Sequence, residues 1–145
     1  MKIITHSLQE TEQLGKDLAK KLQPSDIVLL YGDLGAGKTS FVKGIAQGFG
    51  VRSDITSPTF TLMNMHPTKH KKITTLVHID TYRLQHENDL IEIGVRDYLG
   101  NNHTVTLIEW PEKIDNLLKN NKHGKQISVH IAHTDNPNDR EILIS

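Results

Sequence analysis

The eight residues from Gly32 to Thr39 read Gly-Asp-Leu-Gly-Ala-Gly-Lys-Thr and constrain the fold more than any other segment. They fit the pattern G-x-x-x-x-G-K-[ST], which is the phosphate-binding loop of P-loop NTPases. A short apolar run of strand type, residues 26–31, comes directly before them, and residues 40–49 follow a helical pattern. The order strand, glycine-rich loop, helix is the setting in which this loop binds phosphate. The segment therefore predicts a P-loop NTPase-type α/β domain.

The residue types of this loop suit the chemistry of a nucleoside triphosphate. Glycine has no Cβ and reaches positive φ freely, so the backbone can wrap closely around phosphate. The N–H groups of the loop then point inward, and the following helix adds its positive dipole end. Lys38 is predicted to reach the β- and γ-phosphates, and Thr39 to offer its hydroxyl to Mg²⁺. The predicted nucleotide contacts of the loop are Gly35, Ala36, Gly37, Lys38, Thr39 and Ser40.

Length and charge favour one soluble domain that spans residues 1–145. A chain of 145 residues can bury its own core, and a formal net charge of zero gives no support to an independent nucleic-acid binder. The chain has no cysteine, which excludes a disulfide framework and a thiolate metal site. It has no apolar signal segment at its N-terminus and no apolar run of membrane-spanning length, so we expect a cytoplasmic protein without a membrane partner.

Strand and helix patterns alternate along the rest of the chain. A capping box at Ser7 opens a helix that ends before Pro24, and further helices are predicted over 88–99 and around 114–118. Strands are predicted over 59–65, 73–79, 103–108, 125–132 and 140–144. This alternation favours a central parallel sheet with helices on both faces. The strand pairs around 59–79 and 125–144 predict antiparallel strands at its edges.

A nucleotide hydrolase of this class also needs an acidic residue at the end of a buried strand, where it holds Mg²⁺ or its water. Two residues qualify: Asp80 follows the apolar residues 76–79, and Glu109 follows residues 104–108. Both lie where α/β sheets place their ligands, at the carboxyl ends of strands. We assign Glu109 to Mg²⁺ directly and Asp80 to a water-mediated or general-base role, and the opposite assignment stays open.

Hydroxyl residues and the single tryptophan offer candidates for a switch or a contact. The hydroxyls of residues 56–60 could respond to the γ-phosphate, although a turn that enters a strand explains this segment equally well. Trp110 follows Glu109 directly, so a contact role is as reasonable as a core role.

The nine histidines raise the possibility of a metal site. His66 and His70 fall in an apparent polar loop, and His130 and His133 are three apart on a predicted strand, so they point to opposite faces. We interpret these four as surface residues rather than as ligands of a structural metal.

Five motifs occur along the chain in a fixed order. They are the loop at 32–39, Ser-Pro-Thr-Phe at 57–60, His-Ile-Asp-Thr-Tyr-Arg-Leu at 78–84, Gly-Val-Arg-Asp-Tyr at 94–98 and Ile-Glu-Trp-Pro-Glu at 108–112. Together they resemble the TsaE (YjeE) family of bacterial ATPases, over nearly the whole chain. The departures are small, since Phe60 stands where tyrosine is common and Ser40-Phe41 where Thr-Leu is common.

The resemblance implies a function in tRNA modification. The family acts in the formation of threonylcarbamoyladenosine at position 37 of tRNAs that read codons beginning with A. The TsaD–TsaB pair performs the transfer, and TsaE hydrolyses ATP, with Mg²⁺, to reset that complex between turnovers. The ATPase would be weak until TsaB and TsaD are present, and tRNA would be met only through the complex. Alone, the protein would be a monomer or self-associate weakly.

The resemblance also implies roles for the residues of the chemistry. Lys38 and Thr39 would be the phosphate and Mg²⁺ residues, and Glu109 the second Mg²⁺ residue. Asp80 matches the acid of the family's His-x-Asp-x-Tyr-Arg segment. Lys38, Asp80 and Glu109 are therefore the predicted catalytic residues.

Further roles fall outside this centre. Arg140 corresponds to an arginine that contacts nucleotide, and the segment around His6 and Leu8 would lie near the adenine. The predicted partner or switch residues are Ser57, Thr59, Tyr82, Arg83 and Trp110.

Three other functions are compatible with parts of the sequence. A GTPase would use residues 97–100 as its D-x-x-G motif, but Asp97 falls inside a helical pattern, and the acid expected after Asn121-Lys122 is absent. A small-molecule kinase would need an arginine-bearing lid, and the sequence has no convincing arginine pair. A nucleotide-dependent scaffold or switch without significant turnover would use every residue named above, and ATP hydrolysis in the presence of partners separates it from an ATPase.

Overall fold

The structure is a computed structural model that describes residues 1–52, 54–56, 58 and 61–145. Within these ranges, seven strands form one sheet in the order β1-β7-β6-β2-β5-β4-β3. The strands are β1 Lys2–Thr5, β2 Ile27–Tyr31, β3 Met63–Pro67, β4 Thr75–Asp80, β5 Thr104–Glu109, β6 Gln126–His133 and β7 Arg140–Ile144. The α-helices are α1 Leu8–Ala19, α2 Lys38–Gly48, α3 Glu87–Glu92 and α4 Asp115–Asn120, with 3₁₀ turns at Val95–Asp97 and Pro111–Ile114.

The middle of the sheet is parallel and its edges are antiparallel. Strands β6, β2, β5 and β4 are parallel neighbours, whereas β3 pairs antiparallel with β4, and β7 pairs antiparallel with both β6 and β1. The predicted parallel centre and antiparallel edges are confirmed. Because β2, β4 and β5 run in one direction, Tyr31, Asp80 and Glu109 come to the same edge of the sheet.

Side chains of β2 alternate between two apolar cores, one on each face of the sheet. Val28 and Leu30 pack with buried residues of α1 and α2, while Ile27 and Leu29 pack with those of α3 and α4. Each of the four is at most 4% exposed. Full burial of such a side chain stabilises the fold by about 1.5–3 kcal/mol. Helices therefore cover both faces, as the alternating pattern predicted.

Helices α1 and α2 approach each other backbone to backbone. A Cβ added at Gly44 would lie 1.9 Å from the carbonyl oxygen of Glu12, and one at Gly15 would lie 2.3 Å from that of Phe41. Only glycine fits such a crossing without a shift of the backbone. The contact fixes α2, and with it the glycine-rich loop, against α1.

The capping box at the start of α1 is confirmed in a slightly shifted form. Ser7 is the N-cap, and its Oγ accepts a hydrogen bond from the N–H of Glu10 at 3.1 Å. The Glu10 carboxylate accepts from the N–H of His6, one residue before the cap, at 2.7 Å. The first bond satisfies a backbone donor that the first helical turn would leave unpaired, and the second ties the residue before the cap to that turn.

Four local predictions need correction. Strand β1 was not predicted, and the helix over 88–99 is broken at Gly94, where φ is +89°. Of the strand expected over 59–65, residues 59 and 60 lie outside the described residues, and the observed strand is Met63–Pro67. His66 lies on β3 and is buried, so its interpretation as a surface loop residue is wrong. His70, His130 and His133 are exposed, as predicted. Within the described residues, no helix is both long and apolar enough to cross a membrane.

Candidate functional site

The glycine-rich loop, residues 32–37, joins β2 to α2 at the carboxyl edge of the parallel strands. Gly37 is the N-cap of α2 with φ 110°, a left-handed conformation that residues with a Cβ rarely adopt. In the part of the chain that the structure describes, no side chain caps this helix end by a hydrogen bond. Its first N–H groups therefore face the loop together with the positive end of the helix dipole. An anion is the ligand that suits this arrangement.

Lys38 places a buried ammonium group inside the loop. Its Nζ donates to the carbonyl oxygen of Gly32, lies 3.4 Å from that of Asp33, and is 3.9 Å from the centre of the Trp110 ring. Burial lowers the pKa of Lys38, and the carboxylate of Glu109 opposes this shift. Among the described residues, those that contact the ammonium directly are neutral groups, so a phosphate oxygen would be a stronger partner than these.

Asp80 and Glu109 stand opposite each other at the ends of β4 and β5. Glu109 is 2% exposed, and its Oε2 lies 2.7 Å from Nε2 of His78. Asp80 is less buried, and its Oδ1 accepts the N–H of Tyr82 at 3.0 Å. Burial raises the pKa of Asp80, the Tyr82 bond opposes that shift, and the charge of Glu109 adds to it. The two acids therefore have different surroundings, as two different roles would require.

One cleft of about 280 Å³ brings the predicted phosphate, metal and catalytic residues together. It is lined by Leu8, Leu34, Gly35, Gly37, Lys38, Thr39, Ser40, Asp80, Tyr82, Glu109 and Trp110. Ala36 is the exception among the predicted loop residues, because its side chain is 1% exposed and packs into the core beneath the loop. The sequence-distant segments at 34–40, 80–82 and 109–110 thus form one site.

The oxygen donors of this cleft suit Mg²⁺. The Thr39 hydroxyl and the carboxylates of Asp80 and Glu109 are hard ligands of the kind that Mg²⁺ prefers. The described part of the chain contains no group of three or more His, Cys, Asp or Glu side chains that could hold a metal ion. Nucleotide sites hold Mg²⁺ through one or two carboxylates together with substrate phosphates, which is the number of acids found here.

Trp110 lies beside this cleft in an unusual backbone conformation. Its φ is +60°, a left-handed value that is uncommon for a residue with a large side chain. The hydroxyl of Thr81 donates to the carbonyl oxygens of Glu109, at 3.1 Å, and of Trp110. The ring of Tyr82 packs 5.0 Å from the tryptophan ring. The tryptophan therefore faces the cleft and Lys38 rather than the centre of either core.

A second cleft, of about 490 Å³, holds the other predicted nucleotide residues. His6, Leu8 and Arg140 line it, and Leu8 also lines the first cleft, so the two are adjacent. Nε of Arg140 donates to the carbonyl oxygen of Ala36 at 2.9 Å. Asp139, hydrogen-bonded to Nδ1 of His6 at 3.0 Å, raises the pKa of that imidazole. Arg140 thus ties β7 to the glycine-rich loop.

Some predicted residues lie outside these clefts. Arg83 is exposed and lines neither of them. Ser57 and Thr59 fall outside the described residues. Asp97 lies in the 3₁₀ turn that follows α3 and not at a strand end, which agrees with the argument against a GTPase motif.

Two residues of the site were missed as individual residues. His78 contacts Glu109, and Thr81 bonds the backbone of Glu109 and Trp110. The alternation of β4 could have found His78, because Leu76, His78 and Asp80 are spaced by two and share a face. Nothing in the local sequence marks Thr81, since its partners lie 28 and 29 residues away.

The raised pKa of Asp80 predicts a pH-dependent contribution to stability. The folded chain holds this proton more tightly than the unfolded chain, so the charge of Asp80 destabilises the fold increasingly as pH rises through its folded pKa. Asp80→Asn should therefore raise the thermal midpoint at pH 7, and the gain should vanish below the ordinary aspartate pKa of 3.8. We expect no more than about 1 kcal/mol, because solvent screens a partly exposed carboxylate.

Thermal unfolding monitored by circular dichroism between pH 3.5 and 8 measures this effect. Asp135→Asn, in the exposed turn between β6 and β7, makes the same charge change away from the cleft. Equal gains from both variants, or a loss from Asp80→Asn at pH 7, would contradict the prediction.

The amino-acid sequence matches a known protein family. A family profile described as threonylcarbamoyl adenosine biosynthesis protein TsaE matches residues 5–142. The chain belongs to the TsaE family. A tRNA threonylcarbamoyladenosine biosynthesis protein TsaE from Rickettsia felis is 44% identical over 117 residues, which are 80% of this chain and 66% of that protein. A protein of the same description from Treponema pallidum is 40% identical over 114 residues, 79% of this chain and 81% of that one.

A solved structure agrees with the fold. The crystal structure of Bacillus subtilus YdiB superposes with a TM-score of 0.70 at 30% sequence identity. The superposition covers 98% of this chain and 82% of that chain. The family places this TsaE chain in tRNA threonylcarbamoyladenosine biosynthesis, so the resemblance inferred from five motifs is confirmed.

Proposed function

We propose that this TsaE-family chain is a Mg²⁺-dependent ATPase of P-loop type that acts on the TsaD–TsaB complex. In this proposal it supports formation of threonylcarbamoyladenosine at position 37 of tRNA and resets the complex between turnovers. The observation that carries the proposal is the single cleft in which Lys38, Thr39, Asp80 and Glu109 meet at the N-terminus of α2. Anion-binding backbone, a buried cation and hard oxygen ligands in one place are what a Mg²⁺–triphosphate needs.

The two adjacent clefts suit the two ends of a nucleotide. The N–H groups of the glycine-rich loop and the ammonium of Lys38 would hold the phosphates. Leu8, shared by both clefts, and His6 would lie along the path toward the adenine. Arg140 would support the loop through its bond to Ala36 and contact the nucleotide from the second cleft.

ATP hydrolysis is catalysed mainly by positioning of the reactants and stabilisation of charge, with little covalent chemistry by the protein. A water attacks the γ-phosphate in line, and Asp80 would orient that water from the end of β4. Thr39 and Glu109 would hold Mg²⁺, which neutralises charge on the phosphate oxygens when it is bound. Burial of Glu109 and Lys38 strengthens every electrostatic contact in the cleft.

The arginines of this chain explain why turnover would be weak without partners. Among the described residues, no arginine lines the glycine-loop cleft. Arg140 lies in the second cleft, where its Nε and one terminal nitrogen donate to the carbonyl oxygens of Ala36, Pro137 and Asp139. Nucleotide hydrolases of this type gain large rate factors from an arginine supplied in trans. We infer that the TsaD–TsaB complex supplies the missing charge stabilisation of the transition state. We also infer that this takes place in the cytoplasm and that the chain contacts tRNA only through the complex.

Hydrolysis of ATP measured alone and with TsaB, TsaD and tRNA tests the proposal, with the modified adenosine followed in the same samples. We expect single-turnover hydrolysis to rise by more than about tenfold with the partners. We also expect multiple rounds of modification to require that hydrolysis. Equal single-turnover rates with and without partners would refute the completion in trans. Repeated modification without hydrolysis would leave a nucleotide-dependent scaffold instead.

A further inference from the structure

His78 is buried beside the cleft and has no part in the function proposed above. None of its surface is exposed, and its Nε2 lies 2.7 Å from Oε2 of Glu109. With the carboxylate oxygen as the acceptor of this bond, the imidazole donates through Nε2–H. His78 stands on β4 in register with Leu107 of β5, two residues before Glu109. The contact is therefore held by the centre of the sheet and not by a loop.

His78 lies in a buried part of the sheet. Leu76, which shares its face of β4, is fully buried, and His66 of β3, which pairs with Leu76 on that face, is buried as well. Nδ1 of His78 has no hydrogen-bond partner among the described residues. A buried imidazole with one unpaired nitrogen destabilises the fold relative to an apolar side chain of similar size. Among the described residues, Glu109 is the hydrogen-bond partner of the His78 ring.

His78 acts at a distance from the nucleotide. It does not line the glycine-loop cleft, whereas Glu109 does. Asp80, which shares a face of β4 with it, is oriented instead by the N–H of Tyr82. Each acid of the cleft thus has its own hydrogen-bond donor, a backbone N–H for Asp80 and a side chain for Glu109.

We propose that His78 is a positioning residue for Glu109. By donating to one carboxylate oxygen, it fixes the rotamer in which the other oxygen is presented to a metal ion in the cleft. Outer partners that orient a metal ligand typically contribute 10- to 100-fold in metal affinity. The inference deepens the proposed Mg²⁺–ATP function and rests on it.

Binding of Mn²⁺ as a paramagnetic substitute for Mg²⁺ tests the proposal without any turnover. Electron paramagnetic resonance measures free Mn²⁺ in the presence of the intact chain and a non-hydrolysable β,γ-imido analogue of ATP. His78→Leu removes the donor at similar volume, and we expect it to weaken Mn²⁺ binding by at least about tenfold. His78→Gln keeps an N–H donor of comparable reach and should recover most of that affinity. Affinity for the analogue without metal should stay unchanged.

A double-mutant cycle with Glu109→Gln separates positioning from general damage. If His78 acts through Glu109, His78→Leu should cause no further loss of Mn²⁺ affinity once Glu109 is glutamine. Equal Mn²⁺ affinity in His78→Leu and wild type would overturn the inference, and so would the same loss in both backgrounds. Failure of the wild-type chain to bind Mn²⁺ with the analogue would instead overturn the proposed function, and this inference with it.

Nitrogen-15 NMR of the wild-type imidazole keeps the proposal testable if His78→Leu does not fold. We expect the Nε2-protonated ring, with a slowly exchanging proton, and a shift of its resonances when Mg²⁺ joins the bound analogue. A ring protonated on Nδ1 alone would overturn the inference. Ring resonances that do not shift when Mg²⁺ is added to the bound analogue would also overturn it.

Discussion

Glu109→Gln should lower partner-stimulated ATP hydrolysis by about 10³-fold, which corresponds to about 4 kcal/mol in the barrier. The substitution removes the charge that would hold Mg²⁺ and keeps an oxygen that can still accept from His78. Glu109 is 2% exposed, so no water can take over its role without a rearrangement of the cleft. Nucleotide binding should survive, because the loop N–H groups and Lys38 are untouched. Rates of phosphate release with TsaB and TsaD, and analogue binding by calorimetry, measure both effects.

Glu112→Gln is the matched control for this experiment. Glu112 is exposed in the 3₁₀ turn that follows, does not line the cleft, and loses the same charge. It should hydrolyse ATP within about threefold of wild type. If Glu109→Gln retained turnover while Asp80→Asn lost it, the direct metal ligand would be Asp80, and the assignment made from the sequence would be reversed.

Sequence reasoning located this site because its parts lie at strand ends. The motif at 32–39 fixes the order strand, loop, helix, and apolar runs mark where β4 and β5 stop before Asp80 and Glu109. Parallel strands then bring these ends to one edge, which needs no knowledge of distant contacts. The sheet centre and the cleft that it carries could therefore be predicted from local patterns.

What the sequence did not reveal depends on contacts between distant residues. Strand β1 has four residues and pairs with β7, near the other end of the chain, so its short pattern carries little local signal. The break at Gly94 interrupts a periodic apolar pattern that continues on both sides of it, with Leu90 and Val95 both fully buried. His66 seemed a loop residue because lysines follow it, yet pairing with β4 places it inside β3. The partners of Arg140 and Thr81 are equally remote in sequence.

Two charged residues of the cleft, Lys38 and Asp80, destabilise the fold although the proposed function needs their charges. Burial lowers the pKa of Lys38 and raises that of Asp80, so each charge is held in the folded chain against its solvation preference. Charges of this kind are tolerated where a ligand will later pair with them. A bound Mg²⁺–triphosphate would offer phosphate oxygens to Lys38 and a cation near Asp80. We therefore expect bound Mg²⁺–triphosphate to raise the free energy of unfolding of this chain by more than pairing of exposed surface charges would.

Lys38→Met tests directly whether the charge of Lys38 favours ligand binding and opposes folding. We expect affinity for the ATP analogue to fall by at least about 100-fold, because a desolvated ammonium that contacts phosphate contributes about 3 kcal/mol or more. Stability should not fall with it. The folded chain binds the Lys38 proton less tightly than the unfolded chain does, so at pH 7 the charge opposes folding, and that cost disappears only as pH rises through the ordinary lysine pKa. Methionine should therefore give an equal or higher thermal midpoint at pH 7.

Calorimetric titration and thermal unfolding, run on the same preparations, separate the two expectations. Lys43→Met lies on the exposed side of α2 and removes the same charge, so it should leave analogue binding unchanged. A large drop in the midpoint of Lys38→Met without ligand would mean that the bonds to Gly32 and Asp33 hold the loop together, and that Lys38 is chiefly structural. Unchanged affinity for the analogue in Lys38→Met would show that the Lys38 ammonium does not contact the phosphates. If Lys38→Met loses affinity for the analogue and keeps its thermal midpoint, the ammonium of Lys38 binds the anionic ligand and does not hold the fold together.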